Sequence, residues 1–235
     1  MTRFLCCLVL ISAGSILAPA QVKIEKVNDI ERAKLKLSNG SLYYEASGEG
    51  SPVVLLHGAG LDLHMWDKQA NTFAKHFRML RYDLRGHGQS SPATGTFSDV
   101  DDLERLLDHL GYKKVSLVGL SKGSGIALNF TLEHPERVDK LVLVSSSGPP
   151  PGVPVAEGTV VLTNAATHYR LKEIGIPVLV VVGDGDSPRV VGAAEAAVTR
   201  IKGAWKVVIP NANHLVNIEN ARVFDELVIK FLSEQ

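Results

Sequence analysis

The stretch VSLVGLSKGSGIAL, residues 115–128, carries the strongest structural signal in this sequence. Its first four residues are typical of a buried strand, and the part after Ser121 is typical of a helix. The pentapeptide GLSKG, residues 119–123, lies at the junction, where its glycines permit the cramped backbone that projects a serine hydroxyl outward. The first N–H groups of such a helix point toward an oxyanion. We therefore predict a nucleophilic Ser121; a glycine-rich helix start that serves only close packing is the alternative.

Short apolar runs like the one before Ser121 recur along the chain and predict further strands. They lie at residues 53–56, 79–82, 141–144, 178–182 and 207–209. Because these runs are apolar on both faces, we expect a parallel sheet that is covered on both sides. The pair Asn39-Gly40 lies between two shorter runs and predicts an antiparallel hairpin with a tight primed turn. Together these patterns predict a mostly parallel, eight-stranded sheet.

Helical spacing separates the predicted strands. Apolar residues three or four positions apart predict helices at residues 66–77, 100–110 and 223–232, the second of them behind a Ser98/Asp101 capping pair. Alternation of strand and helix predicts an α/β fold with helices on both faces of the sheet. The sequence contains no internal repeat, and we expect a single domain.

The composition excludes several classes of protein. The chain has 235 residues, 45% of them apolar, which is enough for one domain with a substantial core. Because 25 Lys and Arg residues balance 25 Asp and Glu residues, we expect no binding to nucleic acid or to an anionic membrane surface. A charged fraction of 21% argues against a disordered or fibrous chain.

The first 20 residues differ from the rest of the chain. Residues 4–18 are apolar, and APA at 18–20 has the form of a signal-peptidase site. We predict that residues 1–20 are a cleaved signal peptide and that the mature domain, residues 21–235, is exported without a stable membrane anchor. An uncleaved anchor is the alternative, although the apolar run is shorter than the roughly 20 residues that span a membrane. Both cysteines lie in this segment, so the mature chain offers no disulfide and no thiolate metal site.

A serine at its ordinary pKa is a weak nucleophile that needs a base, and the base needs a group to orient it. Among the eight histidines, His214 follows the last predicted strand in a loop just before the final helix. Asp184 and Asp186 directly follow the predicted strand at residues 178–182, and either of them could orient the histidine. The candidates therefore occur in the chain order serine, acid, histidine.

Residues 43–232 resemble the α/β-hydrolase superfamily in several motifs. HGAG at 57–60, after a predicted strand, resembles the family's oxyanion loop, and DLRGHGQS at 83–90 resembles its structural turn. HMWD at 64–67 and FRMLRYD at 77–83 are most similar to the branch that contains 3-oxoadipate enol-lactonases. The resemblance implies the same α/β fold that the alternation of strands and helices predicts.

The resemblance also implies a catalytic triad. Ser121, Asp186 and His214 fall at the family's nucleophile, acid and base positions. The family's G-x-x-D spacing favours Asp186 over Asp184 as the acid. In this interpretation Ser121 attacks a carbonyl carbon, His214 takes its proton, and Asp186 holds the imidazole.

Two backbone N–H groups complete the implied site. Those of Ala59 and Lys122 form the oxyanion hole, with no role for the Lys122 side chain. Asp83, Arg85 and His87 are assigned to the architecture of their own loop. We expect neither a metal nor an organic cofactor.

The cap is where this sequence departs from the family. Related lactonases insert a helical cap between the sixth and seventh strands, and it supplies much of the substrate pocket. Here only residues 147–175 are available, and their Pro- and Gly-rich start leaves room for little more than one helix near residues 160–171. The predicted cap is minimal, so specific substrate assignments do not transfer from relatives.

The sequence therefore predicts an exported serine hydrolase that acts on small carboxylic esters or lactones. Other chemistry of the same triad is an alternative: amide hydrolysis, carbon–carbon bond hydrolysis or cofactor-free perhydrolysis. A second alternative, from a different class, is a non-catalytic α/β-hydrolase-like domain that binds a ligand or partner. The acyl group, the alcohol and the oligomeric state have no signal in the sequence.

Overall fold

The computed structural model describes residues 30–146 and 170–234. The predicted signal peptide lies outside these ranges, and so does most of the predicted cap segment, including all but the last residues of its predicted helix. Within the described residues, no helix is both long enough and apolar enough to cross a membrane.

One sheet forms the centre of the described structure. Its strands are β1 (Glu31–Leu37), β2 (Gly40–Ser47), β3 (Pro52–Leu56), β4 (Arg78–Tyr82), β5 (Val115–Leu120), β6 (Val138–Val144), β7 (Val178–Gly183) and β8 (Trp205–Ile209). They are arranged in the order β1-β2-β4-β3-β5-β6-β7-β8. The pairs β1–β2 and β2–β4 are antiparallel, whereas every other neighbouring pair is parallel. The predicted mostly parallel, eight-stranded sheet is confirmed.

Helices cover both faces of this sheet, as predicted. They are α1 (Asp67–Ala74), α2 (Asp99–His109), α3 (Lys122–Glu133), α4 (Pro188–Arg200), the short α5 (Val216–Glu219) and α6 (Ala221–Ser233). The apolar residues of α2, α3 and α4 belong to one buried cluster, and those of α1 and α6 belong to the other.

Strand β3 shows why the buried runs of the sequence are continuously apolar. Val54 and Leu56 pack into the cluster that contains α2 and α3, whereas Val53 and Leu55 pack into the cluster that contains α1 and α6. Successive side chains of a strand point to opposite faces, so a strand covered on both sides needs apolar residues at every position. The helix predicted at residues 100–110 is also confirmed, as α2. The predicted capping pair is present, since the Ser98 side chain accepts from the Asp101 N–H at the start of this helix.

Two local predictions are wrong in detail. The hairpin forms, but Leu37 pairs with Gly40, so the loop residues are Ser38 and Asn39, and neither has the positive φ that a primed turn requires. This turn is held instead by a tertiary contact, in which Arg85 Nη1 donates to the Asn39 carbonyl at 3.0 Å.

The predicted helix at residues 66–77 is the second case. It is split into a 3₁₀ turn, Leu63–Trp66, and the shorter helix α1, because the chain must leave the helix before β4 begins at Arg78. Phe77 is buried all the same, in the same apolar cluster as Trp66 and Phe73.

Candidate active site

Ser121 lies between β5 and α3 in a strained backbone conformation. Its φ of 54° and ψ of −110° fall outside the regions that residues with a side chain normally occupy. Its N–H donates to the Val144 carbonyl at 2.9 Å, and its carbonyl accepts from the Gly125 N–H at 3.3 Å. These two bonds fix the serine at the carboxyl end of the parallel strands, where α3 begins.

The glycines on either side of Ser121 are required by close backbone contacts. A Cβ at Gly119 would lie 2.3 Å from the Gly123 carbonyl oxygen, and a Cβ at Gly123 would lie 2.2 Å from the Leu56 carbonyl oxygen. Atoms cannot approach so closely without moving the backbone. The pentapeptide therefore brings the first turn of α3 against the end of β3, and the residues after Leu56 form the neighbouring loop.

His214 and Asp186 form a hydrogen-bonded pair at the same edge of the sheet. The distances from His214 Nδ1 to the Asp186 Oδ1 and Oδ2 atoms are 3.3 and 3.2 Å. The Asp186 side chain is only 3% exposed, whereas that of His214 is 40% exposed. The Ser187 N–H donates to Asp186 Oδ1 at 2.7 Å and so fixes the orientation of the carboxylate. Hence the loops after β7 and β8 place a buried, oriented carboxylate beside an accessible imidazole.

The rival acid, Asp184, contacts the backbone of the histidine loop. Its two oxygens accept from the Asn211 and Ala212 N–H groups at 3.1 and 3.2 Å. It therefore holds the loop that leads to His214 and leaves the imidazole to Asp186. Among the described residues, the predicted acid is hydrogen-bonded to the predicted base, whereas Ser121 Oγ is hydrogen-bonded to neither.

Ala59 and Lys122 offer two backbone donors beside Ser121. Ala59 is exposed in the loop after β3, and Lys122 is the first residue of α3. Neither N–H donates to another residue within the described ranges. Gly123 packs on the last residues of β3, so the loop that carries Ala59 lies next to the start of α3. Two unused donors at this junction are what an oxyanion hole requires.

His57, two residues before Ala59, holds the start of the oxyanion loop through buried hydrogen bonds. It is completely buried, its Nε2 accepts from the Leu84 N–H at 3.0 Å, and its Nδ1 lies 2.8 Å from the Gly58 carbonyl oxygen. This pairing requires the proton on Nδ1 and therefore a neutral ring. Burial lowers the pKa of His57 to about 4. His57 is thus a structural link between the ends of β3 and β4 and has no free nitrogen for proton transfer.

The loop after β4 completes this support. Asp83 accepts from the Leu63 and Gln89 N–H groups at 2.8 and 2.7 Å, and His87 Nε2 accepts from the Gly60 N–H at 3.4 Å. The buried Arg85 makes a two-pronged ion pair with Asp102, at 2.5 and 2.8 Å. These contacts agree with the architectural role that the sequence assigned to residues 83–90.

The Lys122 side chain has a partner that the sequence did not predict. Its Nζ lies 3.3 Å from Oδ2 of Asp99, whose side chain is 2% exposed, and the Lys122 side chain itself is 18% exposed. Burial raises the pKa of the Asp99 carboxyl, and the charge of Lys122 opposes this rise. An acid in the first turn of a helix is ordinarily a favourable surface residue. The sequence therefore gave no signal that this one would be buried.

Three other features of the described residues bear on the chemistry of this site. No group of three or more His, Cys, Asp or Glu side chains that could hold a metal ion occurs in residues 30–146 and 170–234. Ser145, directly after β6, is buried, has a positive φ of 45° and a hydroxyl without a hydrogen-bond partner in the described part of the chain. Asn211, after β8, has a positive φ of 55°.

Comparison with known proteins gives one family model and several relatives that match part of the chain. Residues 51–164 match a family model described as the alpha/beta hydrolase fold. The chain is 36% identical over 107 residues to the pimeloyl-[acyl-carrier protein] methyl ester esterase of Aliivibrio fischeri, a match that covers 46% of this chain and 41% of the esterase. The chain spans only 30% to 44% of the length of the curated relatives that it matches.

Solved structures are matched over a larger share of both chains. A hydrolase from Pseudomonas aeruginosa PA01 has 27% sequence identity and a TM-score of 0.75, over 88% of this chain and 100% of that one. The enol-lactonase from Burkholderia xenovorans LB400 has 25% identity and a TM-score of 0.74, over 86% of this chain and 100% of the lactonase. The enol-lactonase resemblance noted in the sequence is thus matched by a structural neighbour.

Proposed function

We propose that this chain, which belongs to the α/β-hydrolase superfamily, is a serine hydrolase that cleaves carboxylic esters or lactones through an acyl-enzyme. The proposal rests chiefly on one observation. A strained serine lies at the sheet edge that also carries a hydrogen-bonded histidine–aspartate pair. Strained backbone of this kind is concentrated at functional sites, and close packing alone does not require an acid paired with an accessible histidine.

The proposed reaction assigns each group one task. Ser121 Oγ attacks the carbonyl carbon while Nε2 of His214 takes the hydroxyl proton. Asp186, fixed by the Ser187 N–H, keeps the imidazole proton on Nδ1 and stabilises the imidazolium that forms. His214 then gives its proton to the leaving alcohol. In the second half of the reaction His214 takes a proton from water, the water oxygen attacks the acyl carbon, and the proton is returned to Ser121 Oγ as the acid leaves.

The negative charge that develops on the carbonyl oxygen needs fixed donors. The N–H groups of Ala59 and Lys122 fit this task because both are unused and lie at the start of α3, where the helix dipole favours negative charge. The Lys122 side chain is already paired with Asp99. Lys122 therefore acts here through its backbone.

The names of two relatives support the choice of substrate class. One is a methyl ester esterase, and the other is an enol-lactonase. Both names denote a carboxylic ester, open or cyclic, and the proposed site needs no more than that group. The substrate is therefore a small ester or lactone, with hydrolysis of the acyl–oxygen bond as the reaction.

Covalent labelling tests the proposal directly. The purified protein is incubated with a fluorophosphonate, which reacts quickly only with a base-activated serine, and modification is measured by intact mass. We expect one adduct in the wild type, none in Ser121→Ala, and an unchanged adduct in Ser233→Ala, which alters an exposed serine at the end of the last helix. Hydrolysis of a p-nitrophenyl ester series of increasing chain length then defines the acyl group. A wild type that is neither labelled nor active would favour the non-catalytic binding domain.

We also propose that the protein is exported, because of the apolar run and the APA sequence at 18–20. Mass spectrometry of the protein from its native host checks this. The expected mature terminus is Gln21, and an intact Met1 form in the cytosol would contradict it.

A further inference from the structure

Glu219, the last residue of α5, binds the loop that carries His214. Its Oε2 atom accepts from the Asn213 backbone N–H at 2.6 Å and from Asn213 Nδ2 at 3.0 Å. Its Oε1 atom accepts from the Leu215 N–H at 3.0 Å. One carboxylate therefore holds the backbone on both sides of the histidine.

The loop is held at several points before it reaches His214. The Gly185 N–H donates to the Ala212 carbonyl and Asn220 Nδ2 donates to the Pro210 carbonyl, both at 3.0 Å. Asn211, two residues before Asn213, has a φ of 55°, and the segment from Pro210 to His214 belongs to no helix or strand. Asp184 holds the first part of the loop through the Asn211 and Ala212 N–H groups. Glu219 then holds the N–H groups of Asn213 and Leu215, on either side of that of His214. Two carboxylates, one from each side, thus define the path of the backbone into His214.

Glu219 acts on His214 only through the backbone. The imidazole is paired with Asp186, and none of the hydrogen bonds of Glu219 involves the imidazole ring. Although Glu219 is exposed, both of its oxygens are occupied by loop donors, which distinguishes it from a solvating surface acid. Hydrogen bonds to a charged acceptor are stronger than those to a neutral one.

We propose that Glu219 is a positioning residue for the catalytic histidine. It sets the backbone on either side of His214 and thereby directs the imidazole toward Ser121. The inference rests on the proposed function, since it requires His214 to be the base. Catalysis is sensitive to such placement: a displacement of about 1 Å can cost about 100-fold in rate.

The test compares Glu219→Gln with Glu226→Gln. Glutamine has the same size, but it offers a single acceptor oxygen and directs its NH₂ group at the other N–H, so it cannot hold both sides of the loop. Glu226 pairs with Arg222 on the exposed face of α6 and serves as the matched control. Fluorophosphonate labelling rate, kcat and KM for a p-nitrophenyl ester, and thermal unfolding are measured for each.

We expect Glu219→Gln to lower kcat and the labelling rate about 10- to 100-fold, with KM nearly unchanged and the protein folded. Glu226→Gln should match the wild type. Glu219→Asp, which keeps the charge but is one methylene shorter, should lose activity in the same way because it cannot reach both N–H groups. If Glu219→Gln unfolds at the assay temperature, Glu219→Asp and measurements in the cold on folded protein decide the question.

The outcomes separate the inference from the function on which it rests. If the wild type is labelled at Ser121, and Glu219→Gln is labelled at the wild-type rate with an unchanged kcat, the positioning role is wrong. A rise in KM with kcat unchanged would also overturn it, since that pattern indicates lost substrate contact. If the wild type itself is not labelled, the proposed function fails first.

Discussion

Replacing Asp186 with asparagine should nearly abolish activity and leave the fold intact. The geometry gives the reason. In the wild type, Oδ1 of Asp186 accepts from the Ser187 N–H, while Oδ2 lies 3.2 Å from His214 Nδ1. An asparagine oxygen would keep the bond to Ser187, which directs the amide NH₂ at Nδ1. His214 Nδ1 must then accept, and its proton moves to Nε2, where it blocks uptake of the serine proton.

The expected loss can be estimated. Forcing the wrong tautomer on a triad histidine costs about 10⁴-fold in kcat, which corresponds to about 5 kcal/mol of transition-state stabilisation. The Asp186 side chain is 3% exposed, so water cannot take over its role. The unfolding free energy should change far less, because asparagine has nearly the same shape and keeps the bond to Ser187.

Asp184→Asn is the matched control, since it makes the same change two residues away. Asp184 holds the Asn211 and Ala212 N–H groups, and its asparagine still accepts one of them. We expect a loss of about 1 kcal/mol in unfolding free energy and a kcat within a few-fold of the wild type. The assay is steady-state hydrolysis of a p-nitrophenyl ester together with urea denaturation. A reversed ranking, with Asp184→Asn inactive and Asp186→Asn active, would refute the assignment of the acid.

Three further predictions concern the support of the site. Gly123→Ala should lower the unfolding free energy by about 3 kcal/mol, because the added Cβ meets backbone oxygen at 2.2 Å; Gly192→Ala, where no atom lies within 4 Å, should be neutral or stabilising. For His57, the folded-state pKa of about 4 lies below the unfolded value near 6.5, so the unfolded chain takes up the proton first. The stability that neutral His57 contributes is complete above about pH 6.5 and falls by about 3 kcal/mol toward pH 4. When unfolding free energies are measured with urea at several pH values, the free energy of His57→Gln should fall less steeply with decreasing pH than that of the wild type. Lys122→Met should cost about 3 kcal/mol because it leaves the buried Asp99 without a cation, and the double variant with Asp99→Asn should recover most of it; a double variant as unstable as Lys122→Met would contradict the pairing.

The sequence predicted the elements whose signal is local. Strands buried on both faces must be apolar at every position, so β3, β5 and β7 were visible as continuous runs. The Ser98 cap and the pentapeptide around Ser121 are likewise defined by neighbouring residues. These local signals sufficed for the fold and for three sheet-edge positions where functional groups were expected.

The sequence could not predict contacts between distant residues where no family motif marks them. The pairing of Lys122 with Asp99 depends on how α2 packs beside α3, and no sequence pattern in either helix predicts it. Asp184 and Asp186 have almost the same sequence context. The family resemblance favoured Asp186 as the acid, but the contact of Asp184 with the loop backbone is visible only in the fold. Glu219 was missed because a glutamate beside a short helix resembles any surface acid until its hydrogen bonds are known.

Strained backbone within the described residues lies around the proposed site. Apart from glycines, the described residues with positive φ are Ser121, Ser145 and Asn211, which follow β5, β6 and β8 at the carboxyl edge of the sheet. For the two serines such a conformation costs about 1 to 3 kcal/mol and persists only where its surroundings enforce it, whereas asparagine adopts it more readily. Here the N–H of each residue donates to a fixed acceptor: the Val144 carbonyl, the Val181 carbonyl and the Asp184 carboxylate, respectively. A sheet built only for stability would relax these three turns. Their retention at one edge, next to the histidine–aspartate pair, is what a preorganised site requires, because the nucleophile and its base must be held in place before the substrate arrives.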